Sequence, residues 1–480
     1  VTIASFAVIA DGARLAAGGL ADFASGLVTP SVRLGVTGLS RAGKTVFITA
    51  LVNALLQGGR FPAFEAMSSG RITRCYLEPQ PDDTLPRFAY ETHRKALSGE
   101  GRHWPDSTSS ISQLRVTAEY APSGFLARTL GSGRLHIDII DYPGEWLLDL
   151  PLLRMSYAEW SAATVAASHL EPRLGHAGGW HGLLATLNHA QPADEAAAIT
   201  AAEVFTAYLA RCRSEDVALS SLPPGRFLMP GEFKGSPLLA FAPLDVSRQE
   251  AFEKGSLGAL MERRYQSYVA AIVKPFFFDH FARLDRQIIL VDALSALNAG
   301  ASAVRDLEQA LAGILACFRQ GANTPVSALF GRRIERVLFA ATKADLLHHA
   351  SHDRLENILK HIVADAMQRA SYAGAEIDVA ALSAIRATRE ASVRQKGETL
   401  ECIAGTPLAG EVMGETRFDG LTEAAVFPGD LPADPEKARD GSLEGKLRFL
   451  RFRPPLARDG AWPHIRLDRS MEFLLGDKFR

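Results

Sequence analysis

Residues 38 to 45 read Gly38-Leu-Ser-Arg-Ala-Gly43-Lys44-Thr45, and this octapeptide decides the fold. It fits G-x-x-x-x-G-K-[ST], a loop that works only between a strand and a helix. Both flanks are legible. Residues 32–37 predict a short buried strand. The stretch after the loop carries Val46, Phe47, Ala50, Leu51, Ala54 and Leu55 on one side of a helix, up to a stop at Gly58 and Gly59. Glycines let the backbone curl so that successive N–H groups and the helix N-terminus point at phosphate oxygens. The predicted phosphate-binding set is Gly38, Ser40, Arg41, Ala42, Gly43, Lys44, Thr45 and Val46. Lys44 is expected to reach the β- and γ-phosphates, as a catalytic cation, and the Thr45 hydroxyl to ligate Mg²⁺. The Arg41 side chain reads as solvent-facing or salt-bridged.

The next apolar strand ends in an acid: Ile137-Asp-Ile-Ile-Asp141-Tyr-Pro-Gly144. That is where a Mg²⁺-binding Asp belongs, and the N–H of Gly144 is spaced to sense a γ-phosphate. A third stretch, Phe339-Ala-Ala-Thr342-Lys343-Ala-Asp345, follows another apolar strand and resembles the [NT]-K-x-D signature of GTPases. An Asp345 carboxylate can accept two hydrogen bonds from guanine N1–H and its 2-amino group, which adenine does not offer. A site built on such pairing rejects the wrong base. The Lys343 stem is expected to cover the base face. Further on, Ser383-Ala384-Ile385 reads as the loop whose N–H meets guanine O6. The cofactors expected are therefore GTP or GDP and Mg²⁺.

In order, these stretches resemble the phosphate, switch and base elements of Ras-like P-loop GTPases. More narrowly, Asp141-Tyr-Pro-Gly-Glu-Trp-Leu-Leu-Asp-Leu-Pro-Leu-Leu153, Leu294-Ser-Ala-Leu-Asn-Ala-Gly300 and Arg451-Phe-Arg-Pro-Pro455 resemble the YcjX-like bacterial stress-protein family over nearly the whole chain. The resemblance implies a GTP-binding, slowly hydrolysing protein tied to heat or phage-shock responses. It also implies that Thr108, in Trp104-Pro-Asp-Ser-Thr108, is the switch threonine that ligates Mg²⁺. Thr108 lies much farther beyond Thr45 than in a small GTPase, so an insertion precedes the switch. Glu145 stands where Ras-like enzymes carry a water-positioning Gln. A carboxylate there can orient water but repels the γ-phosphate unless a cation intervenes, so slow turnover is expected, with an unidentified protein effector or an Arg accelerating it.

Composition bounds the remainder. With 480 residues the chain is too long for one core, and about 150 residues per domain suggests three. Apolar residues make up 47% and charged residues 22%, which excludes a disordered chain. Lys and Arg number 52 against 54 for Asp and Glu, so no global field favours a nucleic acid, and none is expected as partner. Four scattered cysteines form no disulfide or metal framework, which fits a reduced, cytoplasmic setting. No signal peptide or membrane-spanning run is evident.

The predicted fold class is α/β: a P-loop NTPase with a Ras-like GTPase core on a mixed, mostly parallel sheet, a large helical insertion and a β-rich C-terminal part. Residues 1–30 read as an N-terminal helical segment docked on the chain's own core or, alternatively, peripherally on a membrane. Residues 31–150 hold the first part of the core, 151–285 the helical insertion, and 286–392 the second part. Residues 393–480 form the β-rich region with its final helix. Most of the chain separates Gly38 from Asp345, so the extra length is inserted within one core.

Within the insertion, helices are expected over 193–212 and over 256–274, where Pro275 should stop the second. The stretch after Gly58 and Gly59, to about Pro105, is polar and Pro-containing. Lys446-Leu-Arg-Phe-Leu-Arg-Phe-Arg453 reads as a bulged strand in preference to a nucleic-acid platform. His348 and His349 have no Cys or acidic partner at ligand spacing and read as helix surface. Two alternatives to a GTP switch are an ATP-dependent P-loop enzyme and a nucleotide-stabilised scaffold or membrane adaptor with negligible turnover. The sequence does not set the oligomeric state.

Overall fold

Strand β1 (Ser31–Gly38) is followed at once by helix α1 (Lys44–Gln57), as the octapeptide between them requires. In the computed structural model β1 lies at the centre of a seven-stranded sheet with β2 (Ile72–Glu78), β3 (Ser112–Tyr120), β4 (Gly133–Asp141), β5 (Arg286–Val291), β6 (Arg336–Ala341) and β7 (Glu376–Ala381), in the order β2-β3-β4-β1-β5-β6-β7. The residues described are 30–39, 41–106, 110–122, 133–214, 217–248, 251–317, 334–371, 374–395, 397–457 and 459–480. The expected N-terminal helix, Ser40 and Thr108 lie outside them.

The sheet is mixed and mostly parallel. β2, β3 and β4 run antiparallel as a meander, whereas β4, β1, β5, β6 and β7 are all parallel. Every residue of β5 is buried, as a strand covered on both faces must be. On one face Leu34, Val36, Ile288, Leu290, Leu338 and Ala340 pack with α1 and the closing helix of the chain. On the other, Ile289, Val291, Val337, Phe339 and Ala341 pack against the helical region.

That helical region includes α2 (Tyr157–Ser168), α3 (Glu195–Cys212) and α4 (Leu257–Tyr268). After β5 come α5 (Ala293–Ala299) and α6 (Ala301–Cys317), divided at Gly300, then α7 (His352–Ser371) between β6 and β7. The C-terminal part holds β8 (Arg389–Gln395) and β9 (Glu398–Gly405), the pair β10 (Val412–Met413) and β11 (Thr416–Arg417), β12 (Ala424–Val426) against β9, and the final α8 (Leu467–Leu475). The fully buried Arg286 ties α8 to the sheet: its Nε donates to Leu474 O at 3.1 Å and its guanidinium pairs with Asp477 at 2.7 Å. Glu335 is a second carboxylate partner of the same guanidinium, so the buried charge is paired from two sides.

Two sequence expectations are corrected, and one strand is added. Pro275 does not stop the helix after α4. Two π-helical turns, Val269–Val273 and Phe276–His280, carry it through, because the wider turn absorbs a residue that lacks an N–H. The polar stretch before Pro105 contains β2, a half-exposed edge strand without the alternation that marks a buried one. Lys446–Arg453 is not a strand; one bridge, between Phe452 and Pro407, is its share of β pairing.

Candidate functional site

The five parallel strands end on one edge. Gly38 pairs in register with Leu290, Leu290 with Ala340 and Ala340 with Ala380, while Val36 lies beside Asp141. β1 has β4 on one side and β5 on the other, so the chain crosses in both directions from it. That switch point is where open α/β sheets form a crevice.

The loop after β1 is built on the strained geometry its glycines allow. A Cβ on Gly38 would lie 2.9 Å from Leu290 Cβ and 3.0 Å from Ala42 Cβ. Arg41 (φ 62°) and Gly43 (φ 79°) are both left-handed, which aims neighbouring N–H groups into one concavity. Leu39 N–H donates to Leu290 O at 3.2 Å and Ala42 N–H to Leu39 O at 3.1 Å, pinning the loop to β5. At the start of α1 no side chain caps the helix and no acid sits in its first turn. Its N-terminal N–H groups and their partial positive charge therefore face the concavity, as an anion would require. Ala42 and Thr45 are buried, Lys44 and Val46 are half-buried, and Arg41 is exposed.

At the end of β4 the Asp141 carboxylate is almost fully buried. Gly144 then comes back onto the loop so closely that a Cβ on it would lie 2.0 Å from Gly38 O. The chain is held there by Tyr142, whose hydroxyl donates to Gln287 Oε1 at 2.7 Å and whose phenol pKa is pushed up by burial. Glu145 is buried, and its carboxylate pairs with Arg213, just beyond α3, at 2.8 Å. Asp149 accepts from Gly225 N–H at 2.7 Å and from the Tyr268 hydroxyl at 2.5 Å. Burial pushes its pKa up to about 6 against those two bonds. Arg226 lies over the Trp146 ring, 3.1 Å from its centroid, a cation–π contact. The helical region thus grips the whole 3₁₀ segment Gly144–Arg154.

Two strands away, Thr342 N–H donates to Val291 O at 2.9 Å. Lys343 is left-handed (φ 62°), and its Nζ meets the Asp292 carboxylate at 2.5 Å. Asp345 is buried, which raises its pKa, while the Ala387 N–H that donates to the carboxylate opposes the rise; the hydroxyl of nearby Ser383 donates to Ile385 O at 3.0 Å. The Ala387 bond is 2.9 Å, and Thr388 Oγ1 donates to Asp345 O at 2.5 Å. Ser383 and Ile385 are buried beside it and Ala384 is half-buried. With strands about 4.8 Å apart, the β6 and β7 ends stand about 10 and 14 Å from β1, the reach of a nucleotide along the edge.

The structure therefore brings Gly38, Arg41–Val46, Asp141, Gly144 and Glu145 together at the β1–β4 end. It gathers Thr342, Lys343, Asp345 and Ser383–Ile385 at the β6–β7 end. Three neighbours of these residues were not foreseen. Asp292, at the end of the apolar β5, carries a sequence signal, an acid closing a strand. Arg213 and Tyr268 carry none, because their partners Glu145 and Asp149 are distant in the chain.

Comparison with known proteins agrees with this architecture. Residues 32–479 match the YcjX-like family, DUF463. The protein called Ras-like GTPase YcjX in Escherichia coli (strain K12) is 36% identical over 461 residues, covering 94% of this chain and 96% of that one. The protein of the same name in Shewanella oneidensis (strain MR-1) is 36% identical over 478 residues, covering 93% and 94%.

Proposed function

The chain belongs to the YcjX-like family, and from that premise we propose that it binds guanine nucleotides and hydrolyses GTP slowly, as a conformational switch. The observation that carries the reading is the shared edge: an uncapped helix N-terminus behind a left-handed loop, and a buried carboxylate two strands away. In this reading the loop N–H groups and Lys44 hold the phosphates, and Asp345 reads the base. The Ala387 N–H orients the Asp345 carboxylate, and Lys343, steered by Asp292, lies along the base.

The buried Thr45 hydroxyl and Asp141 carboxylate are hard oxygen donors of the kind Mg²⁺ takes, with Thr108 proposed as the third. Mg²⁺ there would neutralise charge building on the phosphate oxygens. Gly144 N–H would follow the γ-phosphate, and its loss on hydrolysis would release the segment. Turnover is slow because the carboxylate of Glu145 is engaged by Arg213, which tempers its repulsion of the phosphate but leaves it poorly free to orient water.

The family resemblance suggests a bacterial stress response acting through a protein effector. No helix among the described residues is long and apolar enough to cross a membrane; the scattered cysteines are the ground for proposing a reduced, cytoplasmic setting. Titration of the purified chain with GTP, GDP and ATP tests the reading, together with Asp345→Asn. Guanine nucleotides should bind, ATP should bind at least about 100-fold more weakly, and the variant should trade GTP for xanthosine triphosphate. Equal ATP affinity, or unchanged GTP affinity in Asp345→Asn, would overturn the base assignment.

A further inference from the structure

Just beyond the Asp345 turn, two consecutive imidazoles meet two carboxylates from the C-terminal sheet. The expectation that His348 and His349 lack acidic partners is corrected here: Glu390 on β8 and Glu401 on β9 supply them. Glu390 pairs with Ile403 and Glu401 with Ser392 in the β8–β9 ladder, so the two acids lie diagonally on one face. His348 Nε2 is 3.1 Å from Glu390 Oε2, His349 Nδ1 is 3.3 Å from the same oxygen, and one ligand atom from each of the three residues lies within 4.8 Å of the others.

We propose that His348, His349 and Glu390 form a binding site for a borderline divalent transition-metal ion of the Zn²⁺ class. Two distances fit such a centre. A tetrahedral ion with bonds of 2.0–2.1 Å has ligand–ligand edges of about 3.4 Å, close to the two measured separations. Two imidazole nitrogens with one carboxylate oxygen are a donor set for Zn²⁺ or its neighbours and are softer than Mg²⁺ or Ca²⁺ prefer.

A second observation concerns orientation. The other nitrogen of His348, Nδ1, lies 3.0 Å from Glu401 Oε2. The same nitrogen accepts a long bond, 3.4 Å, from Ala350 N–H; in the metal-bound form a proton on Nδ1 would replace that bond with the shorter Glu401 contact and leave the Nε2 lone pair for the ion. A carboxylate behind a ligating imidazole is the usual way such a ring is held and its basicity raised. The second oxygen of Glu390 is likewise fixed, by Arg386 at 2.6 Å, which turns Oε2 toward the imidazoles. The nearby guanidinium also makes this a site of moderate affinity.

The position gives the ion a consequence. Ala387 and Thr388 both bond Asp345, and they directly precede β8. An ion joining residues 348–349 to Glu390 therefore staples both sides of the turn that carries Asp345, and its occupancy should stiffen that turn.

The test uses the full chain, stripped with a chelator and free of nucleotide, titrated with Zn²⁺ by calorimetry and with Co²⁺ by visible absorption. One equivalent should bind, with the visible bands of a four-coordinate Co²⁺ site. His349→Ala should weaken binding at least about tenfold, and Glu401→Gln about 10- to 100-fold although it removes no ligand. His349 is largely exposed, so its loss leaves the fold intact, checked by circular dichroism. Absence of saturable binding to the unmodified chain would overturn the proposal. So would Zn²⁺ affinity in His349→Ala equal to that of the unmodified chain, which would place the ion elsewhere.

Discussion

Gly144→Ala tests whether the segment after β4 senses the phosphates by direct contact with the loop. The added methyl carbon would lie 2.0 Å from Gly38 O, 2.5 Å from Gly38 C and 3.0 Å from Leu39 N. All three atoms belong to the backbone, so no rotamer change relieves them. Bringing the closest contact to an ordinary separation requires a shift of over about 1 Å. β1 cannot supply it, being hydrogen-bonded between β4 and β5 with Gly38 itself pressed on Leu290. Residues 142–146 must move instead, against the Tyr142–Gln287 bond and the buried Trp146. Overpacking of this kind costs about 1–3 kcal/mol, which a domain stable by about 5–15 kcal/mol survives. A displacement of that size at a group aimed at a reacting phosphate should slow hydrolysis about 100-fold. GDP affinity, resting on the loop and on Asp345, should stay within about threefold, a change of under 1 kcal/mol. Single-turnover phosphate release, GDP titration and urea unfolding give the three numbers. Hydrolysis within about threefold of the unmodified chain, or GDP affinity falling as far as the rate, would refute the contact argument.

Two further perturbations address the helical region. Arg213→Ala leaves the buried Glu145 carboxylate without the partner it meets at 2.8 Å. The loss should cost about 1–3 kcal/mol, below the full buried-pair value because Arg213 is partly exposed. GTP affinity should fall more than GDP affinity, and adding Glu145→Ala should restore most of both losses; a strictly additive double variant in urea and nucleotide titrations would contradict this. Asp149 has a folded pKa of about 6, raised by burial. Between pH ~4 and ~6 the folded chain holds a proton that the unfolded chain has released, so this group's contribution declines as pH rises, by up to about 3 kcal/mol. Asp149→Asn lacks the effect. Urea midpoints should show the variant gaining on the unmodified chain from pH 4 to 7, and a pH-independent difference would rule the buried carboxyl out.

What could be read in the sequence was whatever a few neighbouring residues determine. The octapeptide was legible because local signals agree: an apolar strand, glycine where the backbone turns left-handed, and a helix with a free N-terminus. β2 was not, because a half-exposed edge strand is under no pressure to alternate. Pro275 misled because a break in the ordinary hydrogen-bond ladder is cheap when the helix can widen into π turns. The Glu145–Arg213 pair and the His348–His349–Glu390 cluster were invisible for another reason. Their members come from segments far apart, and burial, which makes each pairing necessary, is known only once the sheet is assembled.

The same logic bears on why so much chain is inserted after β4. The segment Gly144–Arg154 does not hang in solvent as a free loop. Arg213 holds Glu145, Gly225 and Tyr268 hold Asp149, Arg226 covers Trp146, and the Tyr265 hydroxyl donates to Met155 O at 3.0 Å. Gly225 is so close to Glu145 that a Cβ would lie 1.8 Å from its carbonyl oxygen. A close-packed interior transmits displacement and does not absorb it. If Gly144 follows the γ-phosphate, as proposed, its motion must pass into the helices beyond α2, whereas a flexible loop would dissipate it. An effector would then be met on that helical region, and substitutions at Arg213 or Tyr268 should uncouple it from the nucleotide while leaving the phosphate loop and Asp345 unchanged.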